Sequence, residues 1–204
     1  FTKEDAAAVR DEVLDSLSKS EINKQLHSVG EPFHAELVND LENVNRYLSP
    51  DNGGLAAANL GVYMSDLGYL VEYESPDARR CFYACLQLSS KAGVNKQFGE
   101  AIGLKFNEII SGNESLDESM NYLFKNSTNA VEGEEFKKVH AAALAGYYFE
   151  ELYHLAAVLK LYENKTLADT TVVLVKSVLR TLLVQKQGLD NLVRYFDHIQ
   201  LQSK

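Results

Sequence analysis

Proline is scarce in this chain. Only Pro32, Pro50 and Pro76 occur among 204 residues, against about 10 at the average usage of ~5%. Collagen-like and proline-rich classes are thereby excluded, and an apolar content of 46% excludes a disordered chain. Cysteine is limited to Cys81 and Cys85, too few for a disulfide scaffold. Their spacing of four on an expected helix suits neither a disulfide nor a Cys-x-x-C metal pair, so both read as small core residues. Long apolar runs are missing too. The best stretch, residues 172–184, carries Lys176 and Arg180 and falls short of the ~20 apolar residues a membrane span needs. Positive charge is in deficit, with 20 Lys and Arg against 29 Asp and Glu and a net charge of −9. Nucleic acid and anionic lipid surfaces are therefore poor partners. The chain opens on Phe1 rather than Met, which fits either a trimmed form or a mature form that has lost an export signal.

What is present is helical periodicity. The pattern predicts one all-α domain over residues 1–204, with short helices and loops in 1–53 and the main bundle in 54–204. A first helix is expected after Thr2, with Val9, Val13 and Leu17 as its stripe. A short helix over 20–29 should stop at Gly30. Periodicity is weak over 31–40 and returns over 41–48. A turn at residues 49–54, SPDNGG, follows.

Two longer helices are expected next. Residues 55–73 carry Leu60, Tyr63, Leu67 and Leu70. Residues 76–92 carry Ala78, Phe82, Cys85, Leu86 and Leu88, with Ser75 as N-cap, Pro76 in the first turn and Gly93 as stop. Helices over 95–110 and 115–124 and a loop over 125–133 precede the longest expected helix, 134–162. Its stripe is Ala141, Leu144, Ala145, Tyr148, Leu152, Leu155 and Leu159. Residues 166–187 look apolar all round, which predicts a central buried helix broken at Gly188 before a last helix over 189–201. Short connections between about eight or nine helices predict a single-domain antiparallel bundle. The alternative is a tetratricopeptide-like array of helical hairpins, suggested by residues 63–92; no second copy at a fixed period supports it.

Few residues have the pattern of a reactive site. No Gly-x-Ser-x-Gly or His-paired cysteine occurs, so no catalytic residue is assigned. Asn-x-Ser/Thr sequons at Asn113, Asn126 and Asn164 fit loops. Two Glu-x-x-His pairs, Glu31 with His34 and Glu151 with His154, place a carboxylate and an imidazole on one helix face. Paired motifs of this type hold di-metal centres in some helical bundles; the plainer reading is a surface ion pair. His140, Tyr147, Glu151 and His154 share one flank of the expected helix 134–162. Asn59, Tyr63 and Asp66 line up likewise on 55–73. Unpaired polar groups at a core edge cost about 1–3 kcal/mol. Asn59, Tyr63, Asp66, Tyr147, Glu151 and His154 therefore either satisfy one another and fix helix register or line a small ligand pocket. Gly61, Gly68 and Gly146 fall inside expected helices, at about 1 kcal/mol each relative to alanine, which predicts close helix–helix contact.

Four segments carry a family resemblance: NLGVYMSDLGY at residues 59–69, LAGYYFEELY at 144–153, QKQGLDNL at 185–192 and ENVNRY at 42–47. They resemble a family of exported, often lipoprotein-type, all-helical proteins of Bacteroidota with an NLGVYxxDLxY signature. The resemblance implies a removed signal, a periplasmic or membrane-anchored location and tethering through an N-terminal lipid anchor. It implies no activity. Met64 stands where the family has a small residue, and Tyr147 where it has tryptophan.

The resulting expectation is a non-catalytic binding or structural module without cofactor, whose partner is a protein or a small molecule. One alternative is a metal-binding or metal-dependent bundle using Glu151 and His154 beside Asp66, and a second is a helical-repeat adaptor.

Overall fold

The computed structural model describes residues 8, 11–13, 22–28, 30–48, 53–113, 119, 134–164, 166 and 169–202. The chain is all-α, and no strand occurs among the described residues. The α-helices are α1 (Ile22–Ser28), α2 (Val44–Tyr47), α3 (Gly53–Glu72), α4 (Ala78–Lys91), α5 (Asn95–Phe98), α6 (Phe106–Ile110), α7 (Glu134–Leu161) and α8 (Asp169–Gln202). A 3-10 turn, Ala35–Leu37, lies in the weakly periodic stretch, and residues 41–48, expected to be one helix, form a second 3-10 turn, Leu41–Asn43, that leads into the four-residue α2. Of the expected first helix, only Val13 of the stripe is described, and it is fully buried. The turn residues 49–52 and the expected elements at 115–124 and 125–133 lie outside the described residues, apart from buried Ser119.

Helix ends follow the local sequence. After α1, Gly30 takes φ +81° while its N–H and that of Glu31 bond to His27 O and Leu26 O. After α4, Gly93 takes φ +78° with matching bonds to Ser90 O and Ser89 O. Both closures need a left-handed residue, which glycine adopts without a Cβ penalty. Ser75 Oγ accepts from Asp77 N at 3.3 Å, and regular helix begins at Ala78, two residues later than expected. Residues 95–110 are not one helix. A π-helical turn, Gly99–Gly103, separates α5 from α6.

The core is built around α3, which buries Leu60, Tyr63, Leu67 and Leu70 together with Ala56, Ala57 and Met64. Helix α4 packs Cys81, Phe82, Cys85 and Leu88 against it. Both cysteines are free and buried, as their spacing predicts, and burial pushes the Cys81 thiol pKa up. Phe82 stacks on Phe106 with ring centroids 3.8 Å apart. Helix α7 lies on another face of α3.

The α3–α7 pair is held by two glycines. A Cβ on Gly61 would fall 1.8 Å from Ala143 O, and one on Gly146 would fall 1.9 Å from Ala58 O. Each helix thus rests a glycine on the other's backbone, which explains their tolerance inside helices. The matched positions, Ala58 with Gly146 and Ser65 with Glu151, rise together along both chains, so α3 and α7 run parallel. Antiparallel packing holds for the pairs α3–α4 and α7–α8. Tyr63 meets Cys81 between α3 and α4, and Tyr148 and His140 meet Gln185 and Tyr195 between α7 and α8.

Helix α8 departs from expectation in two ways. It continues through Gly188 without a break, making it longer than α7. It is not apolar-buried all round either: Val173, Leu183 and Val184 are exposed, while Leu174, Val178 and Leu192 face the core. The central buried helix is α3. Its mixed sequence hides this role, because its small and polar positions are buried as completely as its leucines.

Candidate functional site

Helix α7 turns Glu150 and His154, one turn apart, toward α3, and α3 turns Asp66 toward them. His154 Nε2 lies 3.3 Å from Asp66 Oδ1 and 3.6 Å from Glu150 Oε1. The side chains of His154 and Asp66 are wholly buried, and that of Glu150 nearly so. Burial is the strongest influence on Glu150; together with the charge of Asp66 it pushes the carboxyl pKa up to about 7. For His154 burial acts downward, but the neighbouring Asp66, Glu151 and Glu150 outweigh it and the imidazole pKa is raised.

Each group is held from behind. Asn39, on the turn-rich segment before α2, donates from its backbone N and its Nδ2 to Asp66 Oδ2, both at 3.1 Å, and from Nδ2 to Glu150 Oε1 at 2.8 Å. Asn23, on α1, donates from Nδ2 to Glu151 Oε1 at 3.1 Å, and its Oδ1 lies 3.3 Å from His154 Nδ1. Ser65 Oγ also donates to Glu151 Oε1, at 2.7 Å. Since Asn23 spends its amide on Glu151, its oxygen faces the ring and His154 Nδ1 carries the proton. Despite these supports, Asp66 Oδ1 and His154 Nε2 have no hydrogen-bond partner. At 3.3 Å their approach is electrostatic and lacks the alignment of a hydrogen bond.

The six sequence-selected residues therefore divide. Asp66 and His154 meet directly, and Glu151 joins them through Asn23. Tyr63 is buried beside them, but its hydroxyl donates to Asp40 O at 2.8 Å and burial raises its pKa. Tyr147 is half-buried, with its backbone N against Gly61. Asn59 stays out, donating to Leu55 O of its own helix. The carboxylate facing His154 beside Asp66 is Glu150 rather than Glu151. Spacings of three and four both share a helix face, so sequence alone could not choose between them. Asn23, Asn39 and Ser65 had no local signal, because their partners lie on other elements.

The other Glu-x-x-His pair is close in space. Glu31 is buried at the end of α1 and not on a helix surface. Its carboxylate takes His34 Nε2 at 2.7 Å and the Tyr162 hydroxyl at 2.8 Å. Tyr69 links the two pairs. Its hydroxyl accepts from His34 N at 2.9 Å, and its ring lies 5.1 Å from that of His154.

A cavity of about 330 Å³ opens on the outer side of Asn39, lined by Phe33, Val38, Asp40, Glu42, Asp77 and Arg80 among others. None of the six sequence-selected residues lines it. Asn39 thus both lines this cavity and bonds Asp66 and Glu150. No helix among the described residues is long and apolar enough to cross a membrane. No protein-family model, curated protein or solved structure matches the chain.

Proposed function

We propose that this chain is a non-catalytic helical module that binds a small cation in the seam between α3 and α7. One observation carries the reading: ligand atoms of Asp66, Glu150 and His154 converge in the interior, where Asp66 Oδ1 and His154 Nε2 approach to 3.3 Å without making a hydrogen bond. Buried polar groups without partners cost about 1–3 kcal/mol each, and a cation between them removes that cost. The resemblance to exported helical proteins favours a periplasmic or lipid-anchored setting. The residues that carry it coincide with the seam, since its first two segments include Gly61, Asp66, Gly146 and Glu150.

A second reading has its own support. Ser65, Glu151 and Asn23 form a bonded chain across the same seam, which fixes helix register whether or not a ligand is present. Native mass spectrometry of protein purified without chelator separates the two. The cation reading expects one adduct per chain that disappears in Asp66→Asn. A bare mass before and after adding divalent ions would leave the register role alone.

A further inference from the structure

We propose that the seam is a site for a divalent first-row transition ion, ligated by Asp66 Oδ1, Glu150 Oε1 and His154 Nε2. This inference rests on the cation-binding reading and narrows it to a metal class and a ligand set. Among the described residues these are the one group of three or more His, Cys, Asp or Glu side chains whose ligand atoms converge within 4.8 Å.

The outer contacts aim each ligand inward. With its proton on Nδ1 facing Asn23, His154 presents the Nε2 lone pair to the carboxylates. Asp66 uses Oδ2 for both Asn39 donors and leaves Oδ1 forward. Glu150 is steered by the same Asn39 amide. Ligating histidines and carboxylates in metal proteins are oriented by outer partners of this kind, which set tautomer and direction.

Spacing agrees with the chemistry. Two ligand atoms about 2.05 Å from a tetrahedral ion lie about 3.3 Å apart, and the observed separations from His154 Nε2 are 3.3 and 3.6 Å. A proton on Nε2 is the competing occupant, and it would make His154 and Asp66 a buried ion pair at 3.3 Å without the aligned geometry of a hydrogen bond. One imidazole nitrogen with two carboxylate oxygens suits Zn(II), Fe(II), Co(II) or Mn(II). Calcium takes six or more oxygens, and magnesium keeps its waters. Asn39, which bonds Asp66 and Glu150, also lines a cavity in which Asp40, Glu42 and Asp77 give a negative excess over Arg80.

The test is titration of chelator-stripped protein with Co(II), displacement by Zn(II), and parallel titrations with Ca(II) and Mg(II). We expect one Co(II) per chain, with the intensified visible absorption of low-coordinate nitrogen and oxygen ligation, displaced by Zn(II). His154→Gln should weaken Co(II) by about 100-fold or more, and the outer variant Asn23→Ala by about 10- to 100-fold. The exposed Glu163→Gln should bind as the parent does. Should His154→Gln not fold, Asp66→Asn carries the same expectation. Binding of Ca(II) or Mg(II) without Co(II) or Zn(II) would overturn the metal class and leave the cation reading standing. Binding of neither series to the folded protein would overturn both. Co(II) binding unchanged in folded His154→Gln or Asp66→Asn would overturn the ligand set.

Discussion

His154 Nε2 and Asp66 Oδ1 lie 3.3 Å apart in the interior of the protein, and neither atom has a hydrogen-bond partner. Two helices distant in sequence, α3 and α7, bring them together, and two glycines set how closely those helices pack.

Gly61→Ala and Gly146→Ala should each destabilise strongly. The added Cβ meets a backbone carbonyl at 1.8 or 1.9 Å, and backbone cannot step aside as a side chain can. A loss of about 3 kcal/mol or more is expected, at the high end for overpacking. Gly103→Ala, where nothing lies within 4 Å of the new Cβ, should be neutral or stabilising by up to about 1 kcal/mol. Urea midpoints with unchanged slopes check all three.

Tyr162→Phe should cost about 1.5–3 kcal/mol, because it removes a donor from the buried Glu31 carboxylate. Chemical denaturation measures the loss. An effect below about 0.5 kcal/mol would mean that His34 and water satisfy Glu31 without the tyrosine.

Stability should fall in alkali. Burial first, with Asp190 adding to it, pushes the Tyr148 phenol up to about 12, and burial pushes Tyr69 up to about 12 as well. A raised folded-state pKa means that the native state holds the proton longer than the unfolded chain. The contribution is complete below pH ~10, the unfolded phenol value, and is lost as pH rises toward ~12. Each phenol contributes up to about 3 kcal/mol on this scale. Phenolate absorbance should therefore rise together with loss of helical circular dichroism. Tyr148→Phe should show a shallower decline across the same window. Independent, non-cooperative ionisation of these phenols in the folded protein would contradict the prediction.

Much of the architecture was legible because periodicity and capping residues act locally. Gly30 and Gly93 end their helices as their positions imply, and the stripes of α3 and α4 are the buried ones. The parallel pairing of α3 with α7 was not legible, since it joins elements far apart in the chain. Gly188 misled for a simple reason: glycine at ~1 kcal/mol relative to alanine is a weak helix breaker, and flanking packing carries α8 through it. At the site, Asp66 and His154 were found from their positions beside apolar stripes. Glu150 was missed because neighbouring Glu151 matched a motif spacing equally well. Asn23 lies on the short α1 and Asn39 between two 3-10 turns, where sequence says nothing of their distant partners.

The central claim, a cation between Asp66, Glu150 and His154, is tested most directly by thermal unfolding of the parent and Asp66→Asn, each chelator-stripped and then supplied with excess Zn(II). Asparagine can still accept from Asn39 and removes a buried charge, so the stripped variant should melt at or above the stripped parent. Zn(II) at about 100 times its dissociation constant should stabilise the parent by about 2.7 kcal/mol and leave the variant unchanged. A stripped variant that melts far below the parent, with Zn(II) shifting neither, would contradict the site and mark Asp66 as a structural residue alone.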